Sequence, residues 1–111
     1  MADALDYARN FESKVVSNSA DTIFTLAAGV IRNMTIRVSN TSGSPVTIEG
    51  WLIPDGGSAA VGNKFIPTES IAANSTADFH VPKIVTGDTL TLQAGTASVL
   101  SVFEVDAVTR V

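Results

Sequence analysis

A chain of 111 residues, 45% hydrophobic and 16% charged, is expected to form one domain with a real apolar core and a thin charge coat. Net charge is −4, and the bases Arg9, Lys14, Arg32, Arg37, Lys64, Lys83 and Arg110 are scattered, which speaks against nucleic-acid binding by clustered cations. The absence of cysteine removes disulfides, thiolate nucleophiles and Cys-based zinc sites, and no apolar run approaches the roughly 18 residues of a spanning helix.

For a mass of 11.5 kDa the folded surface should be roughly 5,800 Å², against about 16,700 Å² unfolded. The charged share is well below the usual quarter. Either another chain covers part of the surface, or a Ser/Thr-rich surface needs few charges.

Residues 1–12 differ from the rest of the chain, with no Gly, Pro, Ser or Thr. They carry acids and lack an apolar central segment, so they do not read as a secretory signal. Leu5, Ala8 and Phe11 recur at about helical spacing. So short a helix is marginal alone in water, so residues 1–13 read as a short helix held by packing or as an extended arm. Leaving Leu5, Tyr7 and Phe11 in water is costly, at roughly 1.5–3 kcal/mol each relative to burial. They are the candidate contacts of an arm that docks on a neighbouring subunit.

From Lys14 to Val111 the pattern is β. Lys14-Val15-Val16 starts a strand, residues 17–20 interrupt it, and residues 21–26 form the next. Residues 33–52 read as a central hairpin. Met34, Ile36 and Val38 alternate with Thr35 and Arg37; residues 40–44 turn; Val46, Ile48, Gly50 and Leu52 then alternate with Thr47, Glu49 and Trp51. A period of two gives each strand one dry and one wet face. Residues 54–58 are a turn cluster, and residues 59–66 a weak strand broken at Gly62-Asn63. Residues 76–81, 89–94 and 98–105 complete the strands. All four prolines, Pro45, Pro54, Pro67 and Pro82, are placed at strand ends, since proline cannot donate to a ladder. Seven to eight short strands with no helical crossovers predict an all-β, antiparallel β-sandwich, jelly-roll-like or Ig-like.

Chemistry-bearing patterns are sparse. His80 is the one histidine and alternates outward on its strand. No Gly-x-Ser-x-Gly elbow accompanies the serines. Asp55, Asp78, Asp88 and Glu104 are dispersed, and Gly56-Gly57-Ser58 lacks the rest of a phosphate loop. No catalytic, metal-binding or cofactor-binding residues are therefore assigned. Asn33, Asn40 and Asn74 match the glycosylation acceptor pattern, as chance allows in so Ser/Thr-rich a chain. Trp51 is the notable outward aromatic. It is read either as a sugar-stacking platform or as a ring packed under the loop of residues 54–58 or at a subunit contact. Trp51 and Asp55 join the candidate interaction residues.

Two stretches carry a resemblance: Ile36-Arg37-Val38-Ser39-Asn40-Thr41-Ser42-Gly43-Ser44 with Val46-Thr47-Ile48, and Ile71-Ala72-Ala73-Asn74-Ser75-Thr76 with Thr86-Gly87-Asp88-Thr89-Leu90. Together they resemble small β-sandwich virion proteins of tailed bacteriophages, over about residues 27–105. The resemblance implies a non-enzymatic structural role in a virion assembled in the host cytoplasm, as a capsid decoration (cement) protein bridging capsid subunits. It further implies a homo-oligomer, a trimer by analogy, partnered by the major capsid protein or neighbouring virion proteins. Neither nucleic acid nor membrane is an expected partner. The alternative is a tail or tail-fibre component contacting a host receptor glycan. The arm and residues 56–63 lie outside the resemblance.

Overall fold

The computed structural model describes residues 5–6, 9–107 and 109–110. Among them are twelve strands: β1 (Leu5–Asp6), β2 (Lys14–Val15), β3 (Asp21–Thr25), β4 (Val30–Ile31), β5 (Met34–Asn40), β6 (Val46–Ile53), β7 (Lys64–Ile71), β8 (Ser75–Val81), β9 (Ile84–Val85), β10 (Thr89–Ala94), β11 (Leu100–Asp106) and β12 (Thr109–Arg110). A single 3-10 turn, Val61–Asn63, interrupts the tip loop between β6 and β7. No helix occupies residues 5–6 or 9–13; Leu5–Asp6 is extended.

The pairing is nested. β6 pairs with β7, β5 with β8, β4 with β9, β3 with β10, β2 with β11 and β1 with β12, all antiparallel. The chain is thus one long hairpin whose tip is residues 54–63. Rolling that hairpin on itself brings β10 beside β6, β11 beside β5 and β12 beside β4. Two main sheets result, in the orders β2-β11-β5-β8 and β3-β10-β6-β7, with a small third sheet β1-β12-β4-β9. Eight strands in this order define a jelly-roll sandwich.

This order corrects the central hairpin. β5 and β6 do not pair; they lie in opposite sheets, and residues 41–45 arch between them. Periodicity cannot separate the two cases, because a dry face packs as well against a facing sheet as within its own. Met34, Ile36, Val38, Val46, Ile48, Leu90, Leu92, Leu100 and Val102 fill the space between the sheets, each no more than 5% exposed. The total accessible surface is 5899 Å², close to the sequence expectation.

Buried Asn40 fixes the arch. Its Nδ2 donates to the carbonyls of Ser44 (2.8 Å), Ile71 (3.0 Å) and Ala72 (3.2 Å). Its Oδ1 accepts from the Ser42 backbone N–H (3.0 Å) and hydroxyl (2.8 Å). One amide thereby satisfies polar groups from two loops at the same end of the sandwich.

A second correction concerns Pro67, which lies inside β7 rather than at a strand end. β7 is the outer strand of its sheet and its register slips between Ile48 and Gly50, where Pro67 and Thr68 together face Glu49. An edge bulge is where a strand tolerates a residue without an N–H.

Candidate functional site

Trp51 is corrected as an outward platform: it is 8% exposed. Strand alternation does place it on the outer face of β6, opposite Thr91 of β10. That face is roofed, however, by the second register slip of β7, which brings Lys64 across from Trp51. The Lys64 ammonium sits 5.3 Å from the ring centroid and 3.0 Å from Glu49 Oε1. Glu49 also accepts from the Thr68 hydroxyl at 2.9 Å. The Lys64 bond, then the Thr68 bond, hold the Glu49 carboxyl below its ordinary range. Thr91 Oγ1, buried beside the ring, has no hydrogen-bond partner among the described residues. Sequence reading missed this roof because Lys64 is thirteen positions from Trp51, and a bulge leaves no periodic signature.

Among the candidate arm residues, Tyr7 and the side chain of Leu5 lie outside the described residues. The Leu5–Asp6 backbone pairs with Thr109–Arg110 of the same chain. Phe11 is half-buried and stacks on Phe24 of β3, with centroids 5.4 Å apart and rings 18° from parallel. Asn10 donates its backbone N–H (3.2 Å) and Nδ2 (2.9 Å) to Glu104 Oε1 on β11. The arm thus crosses from one sheet to the other over the side where β2 and β3 form the edges. Arg9, Phe11, Ser13, Phe103 and Glu104 line a groove of about 330 Å³ beside it. Arg9 pairs with Glu12 at 3.0 Å, both largely exposed.

Asp55 is exposed in the tip loop. Its carboxylate packs against Gly87, whose φ is +91° and where an added Cβ would lie 2.7 Å from Asp55 Cβ, leaving no room for a side chain. Asp88 Oδ2 accepts the Val85 N–H at 2.9 Å, closing the turn before β10. These acids serve turns. Among the described residues no group of three or more His, Cys, Asp or Glu side chains is placed to hold a metal ion. His80 is exposed on β8, opposite Thr35. Asn40, 2% exposed with its amide engaged, is not available as a glycan acceptor.

On the outer face of the other sheet, Arg37 and Asp78 form a two-pronged pair, Nε–Oδ1 2.7 Å and Nη2–Oδ2 3.0 Å. Each partner stabilises the other's charged form, raising the Arg37 pKa and lowering that of Asp78. The guanidinium also lies 5.9 Å from the Phe103 ring centroid. Alternation marked Arg37 and Asp78 as outward, but not that β5 and β8 would set them side by side.

The sheet edges differ. β7 is bulged twice and contains Pro67, features that blunt an edge. β8 pairs with β5 without a slip over all seven residues, Met34↔Val81 to Asn40↔Ser75. Its far side has no neighbouring strand, and none of its outward backbone groups has a backbone partner among the described residues.

Fold and surface together define an all-β jelly-roll domain with a cross-sheet arm and, at β8, a regular strand edge without a backbone partner among the described residues. No family model matches the chain, and no curated protein matches it. In fold it is similar to a chain from the work "Bacillus endospore appendages form a novel family of disulfide-linked pili". The TM-score is 0.56 and the identity 18%, over 99% of this chain and 89% of that one.

Proposed function

We propose that this protein is a non-enzymatic structural subunit that works by attaching to an ordered array of protein subunits. The observation that carries this reading is the fold likeness, along 99% of the chain, to a protein of endospore pili. Those pili are described as disulfide-linked. A chain without cysteine cannot form such links, so its cohesion would rest on buried area and hydrogen bonds. Within this reading, the sequence resemblance favours a capsid decoration protein that bridges subunits of the major capsid protein as a homo-oligomer. The added buried area raises the cost of shell disassembly without any reaction. The exposed tip loop, where Val61 is 91% exposed, favours a second reading as a tail or tail-fibre component.

Immuno-electron microscopy with an antibody to the folded domain tests the proposal on particles and cell-surface material from the source cells. Label on shells supports the decoration reading, label on tails the second, and label on filaments a pilus-like array. Label confined to dispersed soluble protein would refute all three.

A further inference from the structure

We propose that β8 is a self-association edge: two copies join β8 to β8 antiparallel about a twofold axis centred on Phe79. The inference deepens the structural-subunit reading by naming the partner as a second copy and the contact as a strand edge. Three observations carry it. β8 is regular for its whole length, and its outward amides and carbonyls lack backbone partners among the described residues. Such an edge is a template for another strand unless it is broken by Pro, Lys or a bulge, and Ser75–Val81 contains none of these. The opposite edge of this side of the sandwich, β7, has both Pro67 and bulges.

The register follows from charge and facing. Antiparallel strands must match faces, so the axis passes through a residue. Centring it on Asp78 sets two carboxylates against each other, and like charges directly opposite are destabilising. Centring it on Ala77 sets Asp78 against Thr76. Centring it on Phe79 sets each Asp78 carboxylate opposite His80 of the other copy, twice by symmetry, and Phe79 opposite Phe79. Asp78 already holds Arg37, and a carboxylate has acceptor sites left for an imidazole N–H. Ala77 then faces Val81, and Pro82 ends the ladder. The product is a continuous eight-stranded sheet, β2-β11-β5-β8 of one copy running into the same four strands of the other. So narrow a contact is weak between isolated copies and gains force when an array holds many copies close together.

A chain without cysteine allows a clean test. Phe79→Cys, Asp78→Cys, His80→Cys and Ala77→Cys variants, with Ser58→Cys in the tip loop as control, are oxidised at high micromolar concentration. The covalent dimer should peak at Phe79→Cys. Because Phe79 also packs on the core, an equimolar mixture of Asp78→Cys and His80→Cys chains provides a second measure. It should yield mixed dimers well above either variant alone. By analytical ultracentrifugation His80→Glu should dimerise about tenfold more weakly than His80→Lys, since it turns two attractive pairs into two repulsive ones. Cross-linking no greater than the Ser58→Cys control, a peak at Ala77→Cys or Asp78→Cys, or equal association of the two His80 variants would overturn the proposal. Antibody label on an assembly with no peak at Phe79→Cys would sink this contact and leave the structural-subunit reading standing.

Discussion

Asn40 joins two loops through a single side chain, and replacing it measures how much the arch between the sheets depends on that amide. In Asn40→Asp the acceptor to Ser42 is kept and the donors are lost. In Asn40→Ala both are lost. The Ser44 carbonyl retains the Ser42 hydroxyl at 2.9 Å, and Ala72 is exposed, so water can replace its bond. The Ile71 carbonyl lies at a residue only 2% exposed and loses a donor that water cannot replace, at about 1–3 kcal/mol. Lost net bonding at the remaining partners adds about 1 kcal/mol, for a total near 3 kcal/mol. With an unfolding entropy of about 2.1 cal/mol/K per residue, that lowers Tm by about 13 °C at this chain length. Urea unfolding and calorimetry of both variants should show Asp at least as costly as Ala, because its carboxylate sets a buried acceptor against three carbonyl oxygens. Ser42→Ala, which removes hydroxyl bonds alone, should cost under about 1 kcal/mol. An Asn40→Asp variant within about 0.5 kcal/mol of wild type would refute the donor-side account.

Three further outcomes are expected. Gly50→Ala puts a Cβ 2.9 Å from Ile66 Cδ1 and 3.0 Å from Leu92 Cδ2, and should cost about 1–3 kcal/mol in urea. Adding Ile66→Val removes the nearest atom and should restore part of the loss; a strictly additive double variant would contradict this. Glu49 and Asp78 have folded pKa values below their unfolded ones, so their stabilisation is complete above the unfolded range and lost as pH falls through the folded values. The urea midpoint should therefore drop more steeply below about pH 4 in wild type than in Glu49→Gln/Asp78→Asn, and parallel curves would contradict the assignment. If the arm docks on its own sandwich, a double-mutant cycle on Phe11→Ala and Phe24→Ala should give a coupling of about 0.5–1.5 kcal/mol, whereas zero coupling would mean the stack is absent in solution.

The local chemistry of the strands was legible and their arrangement was not. Met34, Ile36 and Val38 announced their inward face, and Leu90 and Leu92 did the same for β10. The arch from β5 to β6 looked like a hairpin because a turn of small polar residues serves equally to reverse a strand in its sheet or to carry it to the next. Pro67 read as a boundary because a lone sequence does not show which strand will be outermost. Trp51 read as outward, with platform and packed ring both open, because alternation reports which face a side chain leaves from, not what a bulge later folds over it. For the arm, Phe11 was marked by its cost in water, but its seat on Phe24 depends on β3 lying at an edge, which follows from topology alone.

The nested ladder has a consequence for how the molecule is made. A ribosome delivers β1 to β6 before any of them has its mirror partner, so the first rung that can close is β6 with β7 at the tip. Each later segment then zips onto an earlier one that has been waiting longer, and such distant pairings are slow to form. The rung of Leu5–Asp6 with Thr109–Arg110 is the last of the six to become possible. Until Thr109–Arg110 emerges, Leu5–Asp6 therefore has no mirror partner, and crowded nascent copies would compete for it.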